Sequence, residues 1–318
     1  MRRRSGAVQP PFGDSFGADV ASAFRGLHSG VVVNRSFVNV LLIGGSGQLG
    51  SEIRSRWSGD RIVAPSHAEI DLADTVSIEG MLDSAHPDLV VNCAAFHNVD
   101  TCESQPERAF ELNALAVDRI AAACSRRGVS FMAISTDYVF DGRKTEPYTE
   151  DDCARPICAY GASKLAGEHL VLRRQVNAYV VRTCGVYGLV ASRSKGHTFI
   201  DRIIAQARAG ETVRVVSDVV SSPTFAGDLA VALRALVASG SYGLYHACNV
   251  GPVSWYDFAR AALDLAGIAQ PIESISAAQW KAPARRPVFS ALANIKLDAL
   301  GITMPSWREG IAAYLRDK

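Results

Sequence analysis

The run Val38-Asn39-Val40-Leu41-Leu42-Ile43 is short, apolar and β-branched, and it empties directly into Gly44-Gly45-Ser46-Gly47-Gln48-Leu49-Gly50. A buried-type strand that ends in glycines leaves few folds open. Glycines at 44, 47 and 50 have the spacing that provides a tight turn, a close approach of backbone to a phosphate, and close packing of helix on strand. A helix is predicted from about Leu49 to Trp57, and its N-terminus would face a pyrophosphate. Gly44, Gly47, Gln48, Leu49 and Gly50 are therefore candidate dinucleotide-binding residues. Glycine loops also serve as ordinary turns, so the weight of this one depends on the elements that surround it in the chain.

Strand and helix signals then alternate. Strands are predicted at 61–64, 88–95, 129–135 and 178–182, and helices at 75–85 and 106–127, the latter ended by Gly128. Repeated βα units with buried-type strands predict an α/β fold with a doubly wound parallel sheet of the Rossmann kind. Ligands of such sheets bind beyond the carboxyl ends of the strands. Gly44, Ala94, Ala95, Ser135 and Thr136 fall at such ends and should converge on one crevice. Residues 37–182 are read as the dinucleotide-binding domain. Residues 183–318 are read mainly as a smaller C-terminal substrate-binding lobe, with 225–250 returning to the main sheet. Residues 1–36 begin with Arg2-Arg3-Arg4 and are rich in Gly, Ser and Pro. They are expected to be a disordered extension, or the product of a start codon placed too early, and they do not have the form of a secretory signal.

Composition narrows the partners. A formal net charge of +1 over 318 residues gives no electrostatic basis for nucleic-acid or bulk membrane binding. No apolar run approaches the roughly 20 residues of a membrane-spanning helix. The seven cysteines are scattered and form no CxxC pair, which argues against a zinc site or a disulfide framework and for a reducing, cytoplasmic setting. His97, His169 and His246 lack ligand spacing, so no metal site is predicted.

Tyr160 and Lys164 sit four residues apart in a stretch that continues as a helix. Positions i and i+4 share a face, which puts a phenol beside an ammonium. A free tyrosine has a pKa near about 10, and a neighbouring positive charge lowers it. The pair is a candidate general acid for a developing alkoxide. The plainer alternative is a helix with one half-buried Tyr and one solvated Lys. Likewise Ser135-Thr136-Asp137, taken alone, reads as a turn.

In order along the chain stand GGSGQLG at 44–50, VVNCAAFHNVDTCE at 90–103, ISTDYVFDG at 134–142, YGASKLAGE at 160–168, RTCGVYG at 182–188, SSPTFAGDLA at 221–230 and RRPVFSAL at 285–292. From about Asn39 to the C-terminus the chain resembles the dTDP-4-dehydrorhamnose reductase family of the extended short-chain dehydrogenase/reductase superfamily. The resemblance implies hydride transfer from a nicotinamide to C4 of a nucleotide-linked 4-keto sugar, in the family dTDP-4-dehydro-L-rhamnose. It implies that Thr136, Tyr160 and Lys164 are catalytic. Tyr160 would donate the proton to the C4 oxygen, Lys164 would hold the nicotinamide ribose, and Thr136 would hydrogen-bond the keto oxygen. It implies Asp137, Tyr138 and Arg286 at the substrate, Asp71 and Leu72 at the adenine, and Ala94, Ala95 and Phe96 along the cofactor. A nucleotide sugar is the implied partner, and a monomer or homodimer the implied state. Some relatives carry Mg2+ at an interface, for which no ligands can be picked out here.

Departures from the family bear on specificity. Gly185 stands where an aromatic residue, usually Trp, is common, and a ring lost there removes contact surface beside the sugar. His97-Asn98 replaces the usual pair before Val99-Asp100. The end of the second strand, Ala64-Pro65-Ser66-His67, lacks the acid that binds NAD ribose hydroxyls. NADPH is therefore the expected cofactor, with NADH as the second donor and Arg54 or Arg56 as the residue to reach a 2′-phosphate. The competing reading is a non-catalytic, NADP-binding regulatory subunit like that of methionine adenosyltransferase, which would need no working proton donor. A dehydratase would carry Asp-Glu after the threonine, where this chain has Asp137-Tyr138.

Overall fold

The structure, a computed structural model, describes residues 38–174, 177–191, 196–280 and 282–318. The extension expected over 1–36 lies outside the described residues. The first half runs β1 (Asn39–Ile43), α1 (Gln48–Arg56), β2 (Arg61–Val63), α2 (Thr75–Ala85), β3 (Leu89–Asn92), α3 (Val99–Ser104), α4 (Pro106–Phe110), α5 (Ala116–Arg127), β4 (Ser130–Thr136), α6 (Ala159–Leu172) and β5 (Ala178–Thr183). The second half runs α7 (Phe199–Arg208), β6 (Val213–Val216), β7 (Val220–Ser221), α8 (Ala226–Ser239), β8 (Gly243–His246), β9 (Val253–Ser254), α9 (Trp255–Leu265), β10 (Ile272–Ile275), α10 (Ala277–Trp280), α11 (Ile295–Ala299) and α12 (Trp307–Asp317). Among the described residues no helix is long and apolar enough to cross a membrane.

The central sheet has the order β2-β1-β3-β4-β5-β8, and every neighbouring pair in it is parallel. The chain leaves β1 in one direction to form β2 and returns past it to form β3. That reversal opens a crevice beyond the carboxyl ends of β1 and β3.

Alternation along the strands fills both faces. Val40 and Leu42 of β1, Leu89 and Val91 of β3, and Tyr179 and Val181 of β5 pack with α1 and α8 through Leu49, Ile53, Leu229 and Leu233. Leu41 and Ile43, Val90, and Ala178 and Val180 pack with α2, α5 and α6 through Ile78, Leu82, Val117, Ile120 and Val171. The side-chain period of two explains the division. Each such aliphatic residue contributes roughly 1.5–3 kcal/mol by leaving water. The remaining strands form two small sheets, β6 with β10 in parallel and β7 with β9 in antiparallel.

One predicted element differs in form. The helix expected over 106–127 is interrupted by a π-helical turn at Glu111–Leu115. The extra residue swings Asn113 inward, where it is buried. Its Oδ1 accepts from the Phe96 N–H at 2.8 Å, and its Nδ2 donates to the Phe96 carbonyl at 2.9 Å and to Ser163 Oγ at 3.0 Å. Gly167 of α6 abuts the same turn, for a Cβ there would stand 2.3 Å from the Asn113 carbonyl oxygen. The π turn thus locks the loop after β3 to α6.

Candidate active site

The carboxyl edge of the sheet gathers the predicted residues. Beyond β1, Gly44 has φ +81°, and a Cβ on it would lie 2.8 Å from Ala94 N; a Cβ on Gly50 would lie 2.3 Å from the Gly44 carbonyl oxygen. These two glycines are required by backbone contact. Gly47 is the N-cap of α1 and provides no capping side chain, so the first amides of the nine-residue helix face outward, ready for an anion. A Cβ on Gly47 would meet only the Gly44 carbonyl, at 3.4 Å. This cradle fits a dinucleotide pyrophosphate. Leu49 contributes only its backbone there, since its side chain belongs to the core.

Beyond β3, Asn92 Oδ1 accepts from Ala94 N at 3.0 Å, and Asn113 grips Phe96, so Ala94, Ala95 and Phe96 are held as one wall. Asp71 and Leu72 lie in the loop from β2 to α2. The Asp71 N–H donates to Ser77 Oγ at 2.9 Å, and Leu72 is half-buried.

Thr136 ends β4, and Asp137–Val139 form a single 3-10 turn. The Tyr138 N–H donates to Thr136 Oγ1 at 3.2 Å, and Thr136 Oγ1 donates to Asp137 Oδ1 at 3.0 Å. Asp137 is buried. Its Oδ2 accepts from Cys184 Sγ at 3.1 Å, and burial pushes its carboxyl pKa up against hydrogen bonds from Ser290, Cys184 and Thr136. The turn that Ser135-Thr136-Asp137 predicts is therefore present, and it carries the candidate residues as well.

α6 delivers Tyr160 and Lys164 to the same end of β4. Gly161 allows the approach, since a Cβ there would be 2.1 Å from the Tyr138 carbonyl oxygen. Tyr160 and Tyr138 meet edge to face with centroids 5.7 Å apart. Tyr160 is hydrogen-bonded to Thr136, yet burial raises its pKa above the ordinary tyrosine value. The expectation that Lys164 lowers it does not hold. Desolvation dominates, and the Lys164 ammonium is turned to the Ile134 carbonyl at 2.6 Å. Lys164 is itself buried, which pulls its pKa down to about 8 against the opposing charge of Glu168.

Sequence reasoning missed what lies beneath. Glu168, one turn past Lys164, receives Arg182 Nη2 at 2.6 Å and Nε at 3.0 Å, and also the Ser135 hydroxyl. Both side chains of this pair are almost fully buried. The recurrence of Lys164 and Glu168 at i and i+4 was the available signal. Asn113 gave none, because nothing in the sequence marks a π turn.

Arg286 reaches the crevice from far along the chain. Its Nη2 donates to Asp100 Oδ2 at 2.8 Å, and it is hydrogen-bonded to Tyr138. Arg56, by contrast, is held by Glu52 and Asp317, each at 2.8 Å, on the side facing α8 and α12. That removes it from the cofactor site. Arg54 stays beside the loop, its Cδ 3.5 Å from where a Gly45 Cβ would be, with Ala64 Cβ 2.7 Å from the same point. Among the described residues no group of three or more His, Cys, Asp or Glu is arranged to hold a metal ion.

Known proteins resemble this chain over most of its length. Residues 38–318 match the RmlD substrate binding domain family. The chain is 35% identical over 281 residues to the spore coat polysaccharide biosynthesis protein SpsK of Bacillus subtilis, covering 88% of this chain and 97% of that one. It is 36% identical over 285 residues to the dTDP-4-dehydrorhamnose reductase of Mycobacterium tuberculosis, covering 87% of this chain and 92% of that one. The crystal structure of dTDP-4-dehydrorhamnose reductase from Bacillus anthracis in complex with NADP superposes with a TM-score of 0.83 at 31% identity, over 88% of this chain and 99% of that one. A match over nearly every described residue, with a fold to correspond, places the chain in the dTDP-4-dehydrorhamnose reductase family.

Proposed function

We propose that this protein reduces a nucleotide-linked 4-keto sugar, dTDP-4-dehydro-L-rhamnose, to the 4-hydroxy product with NADPH. The observation that carries the reading is the meeting of Thr136, Tyr160 and Lys164 at one strand end beside the glycine cradle. Reduced nicotinamide, when bound, supplies the hydride to C4. Tyr160, kept protonated by its raised pKa, donates its proton to the C4 oxygen as negative charge develops there. Thr136, turning its hydroxyl from Asp137 Oδ1, donates to the same oxygen. Lys164 stabilises the phenolate left on Tyr160, which recovers its proton from solvent. Arg286, half-buried beside Tyr138, is suited to the sugar-diphosphate by a charge-assisted bond. A non-catalytic regulatory subunit would need none of this alignment.

Arg54 and the lack of an acid over residues 64–67, at the end of β2, support NADPH over NADH. Arg54→Ala should raise the KM for NADPH about tenfold, the worth of one charge-assisted hydrogen bond, and leave that for NADH unchanged. Equal effects on both would remove Arg54 from the 2′-phosphate. The direct test of function monitors nicotinamide absorbance with dTDP-4-dehydro-L-rhamnose generated in situ. Sugar-dependent oxidation is expected, and tight NADPH binding with no oxidation by this or related keto sugars would overturn the reading.

A further inference from the structure

Resting on that substrate reading, we propose that Trp255 is the aromatic wall of the sugar site, and that Gly185 is glycine so that the indole can reach it. Gly185 is the second residue past β5, whose last residue, Thr183, pairs with Thr136 across the sheet. Between them Cys184 touches Asp137 at 3.1 Å. Position 185 therefore lies one strand over from the reaction centre, on the same edge. Its backbone is left-handed, with φ +50°, a conformation that favours glycine.

The space a side chain would take at 185 is filled from elsewhere. A Cβ on Gly185 would stand 3.3 Å from Trp255 Cη2, 3.5 Å from Trp255 Cζ2 and 3.3 Å from Pro223 Cα. The far edge of the indole thus rests on the glycine. Trp255 is the first residue of α9, and its backbone N–H donates to the Val219 carbonyl at 3.2 Å. The ring is braced edge-on by Phe199, centroids 4.9 Å apart, and by Phe258 at 5.9 Å. It remains only half-buried, so part of its surface is open.

The base of α9 is tied to the substrate rim. β9 pairs with β7, and Val220 of β7 exchanges backbone hydrogen bonds with Val288 at 2.8 Å and Ser290 at 2.9 Å. Those residues come just after Arg286, and Ser290 bonds Asp137. Trp255, Arg286 and Asp137 are therefore parts of one rim. A 6-deoxy sugar presents a methyl group and a patch of C–H bonds, and sites for such ligands pair aromatic surface with a few fixed polar groups. The indole supplies that surface from α9, in place of a ring at 185.

The test is a double-mutant cycle of Gly185→Ala and Trp255→Ala, read as KM and kcat for the keto sugar at saturating NADPH. Trp255→Ala should raise the sugar KM about tenfold or more and leave the NADPH KM unchanged. Gly185→Ala should raise it as well, because the new methyl pushes the indole aside by a few tenths of an ångström and strains the left-handed backbone beside Pro223. In the double variant the contact with the ring is gone while the strained backbone and the Pro223 contact remain, so Gly185→Ala should raise the sugar KM by a smaller factor there than in the wild-type background. A wild-type sugar KM in Trp255→Ala, or multiplied effects in the double variant, would overturn the proposal. Trp255→Phe, which keeps a ring among Phe199 and Phe258 but shortens it, should fold and show an intermediate KM. A wild-type protein that reduces no keto sugar would count against the substrate reading instead. The contact is then read from protein fluorescence on adding dTDP-L-rhamnose; loss of the response in Trp255→Phe supports it, and an undiminished response sinks it.

Discussion

Arg182 with Glu168 and Arg286 with Asp100 are the same chemical pair in two settings. The first spans β5 and α6 beneath Lys164 at 2.6 Å, with side chains 5% and 3% exposed. The second crosses the mouth of the crevice at 2.8 Å, with side chains 28% and 39% exposed. Removing one partner of a buried pair strands a charge away from water, whereas an exposed pair exchanges readily with solvent or a ligand. The interior pair is suited to fixing geometry, and the rim pair to giving up one partner for a diphosphate. The molecule thus sets a buried pair beneath the candidate reaction centre and a more exposed one at its rim.

The largest effect should come from the centre. Tyr160→Phe removes the proposed proton donor and little volume, so turnover should fall by about two to four orders of magnitude while NADPH affinity is retained. Unchanged turnover would take Tyr160 out of the mechanism and leave the centre without its chemistry. Next, Glu168→Gln should lower folding stability by about 3–5 kcal/mol, whereas Asp100→Asn should stay within about 1 kcal/mol of wild type. Denaturant unfolding of both variants decides this, and equal losses would erase the contrast between the pairs. At the rim, Arg286→Ala should raise the KM for the nucleotide sugar by roughly tenfold or more with kcat and unfolding nearly unchanged. A fall in kcat with constant KM would instead assign Arg286 to the centre.

The same division governs what could be read from the chain. The alternation of Val40 and Leu42 with Leu41 and Ile43 is local, and both faces of the sheet derive from it. The Tyr160–Lys164 spacing is local too, and α6 places the two residues on one turned face. The rim depends on pairs such as Asp100 with Arg286, 186 residues apart, and on Trp255 filling the space over Gly185. No period or spacing encodes such meetings. The rise in the Tyr160 pKa was missed for a related reason. Spacing sets which charge lies near, but desolvation depends on everything packed around the ring. The π turn escaped because a one-residue insertion leaves the apolar pattern of 106–127 intact.

The smallest effect concerns the charge at the centre. Lys164 has a pKa of about 8 in the folded protein against an ordinary value of 10.5. Below pH 8 both folded and unfolded chains hold the proton, and its contribution to stability is flat. Between 8 and 10.5 the unfolded chain keeps a proton that the folded one releases, so stability rises with pH. Above about pH 9 the buried thiols oppose this, since Cys93 and Cys248, raised to about 12 by burial, ionise first in the unfolded chain. From pH 8 to 9 the cofactor-free protein should therefore gain on the order of 1 kcal/mol relative to Lys164→Met, measured as the difference between their unfolding free energies at the two pH values. Parallel pH dependences would mean that Lys164 is not desolvated as its contacts imply. NADPH sharpens the test. With Lys164 on the nicotinamide ribose as proposed, the ribose hydroxyls would give the ammonium acceptors beyond the Ile134 carbonyl and favour its charged form. The rise should then move to higher pH in the complex, and an unshifted rise would mean that NADPH does not bear on the Lys164 ammonium.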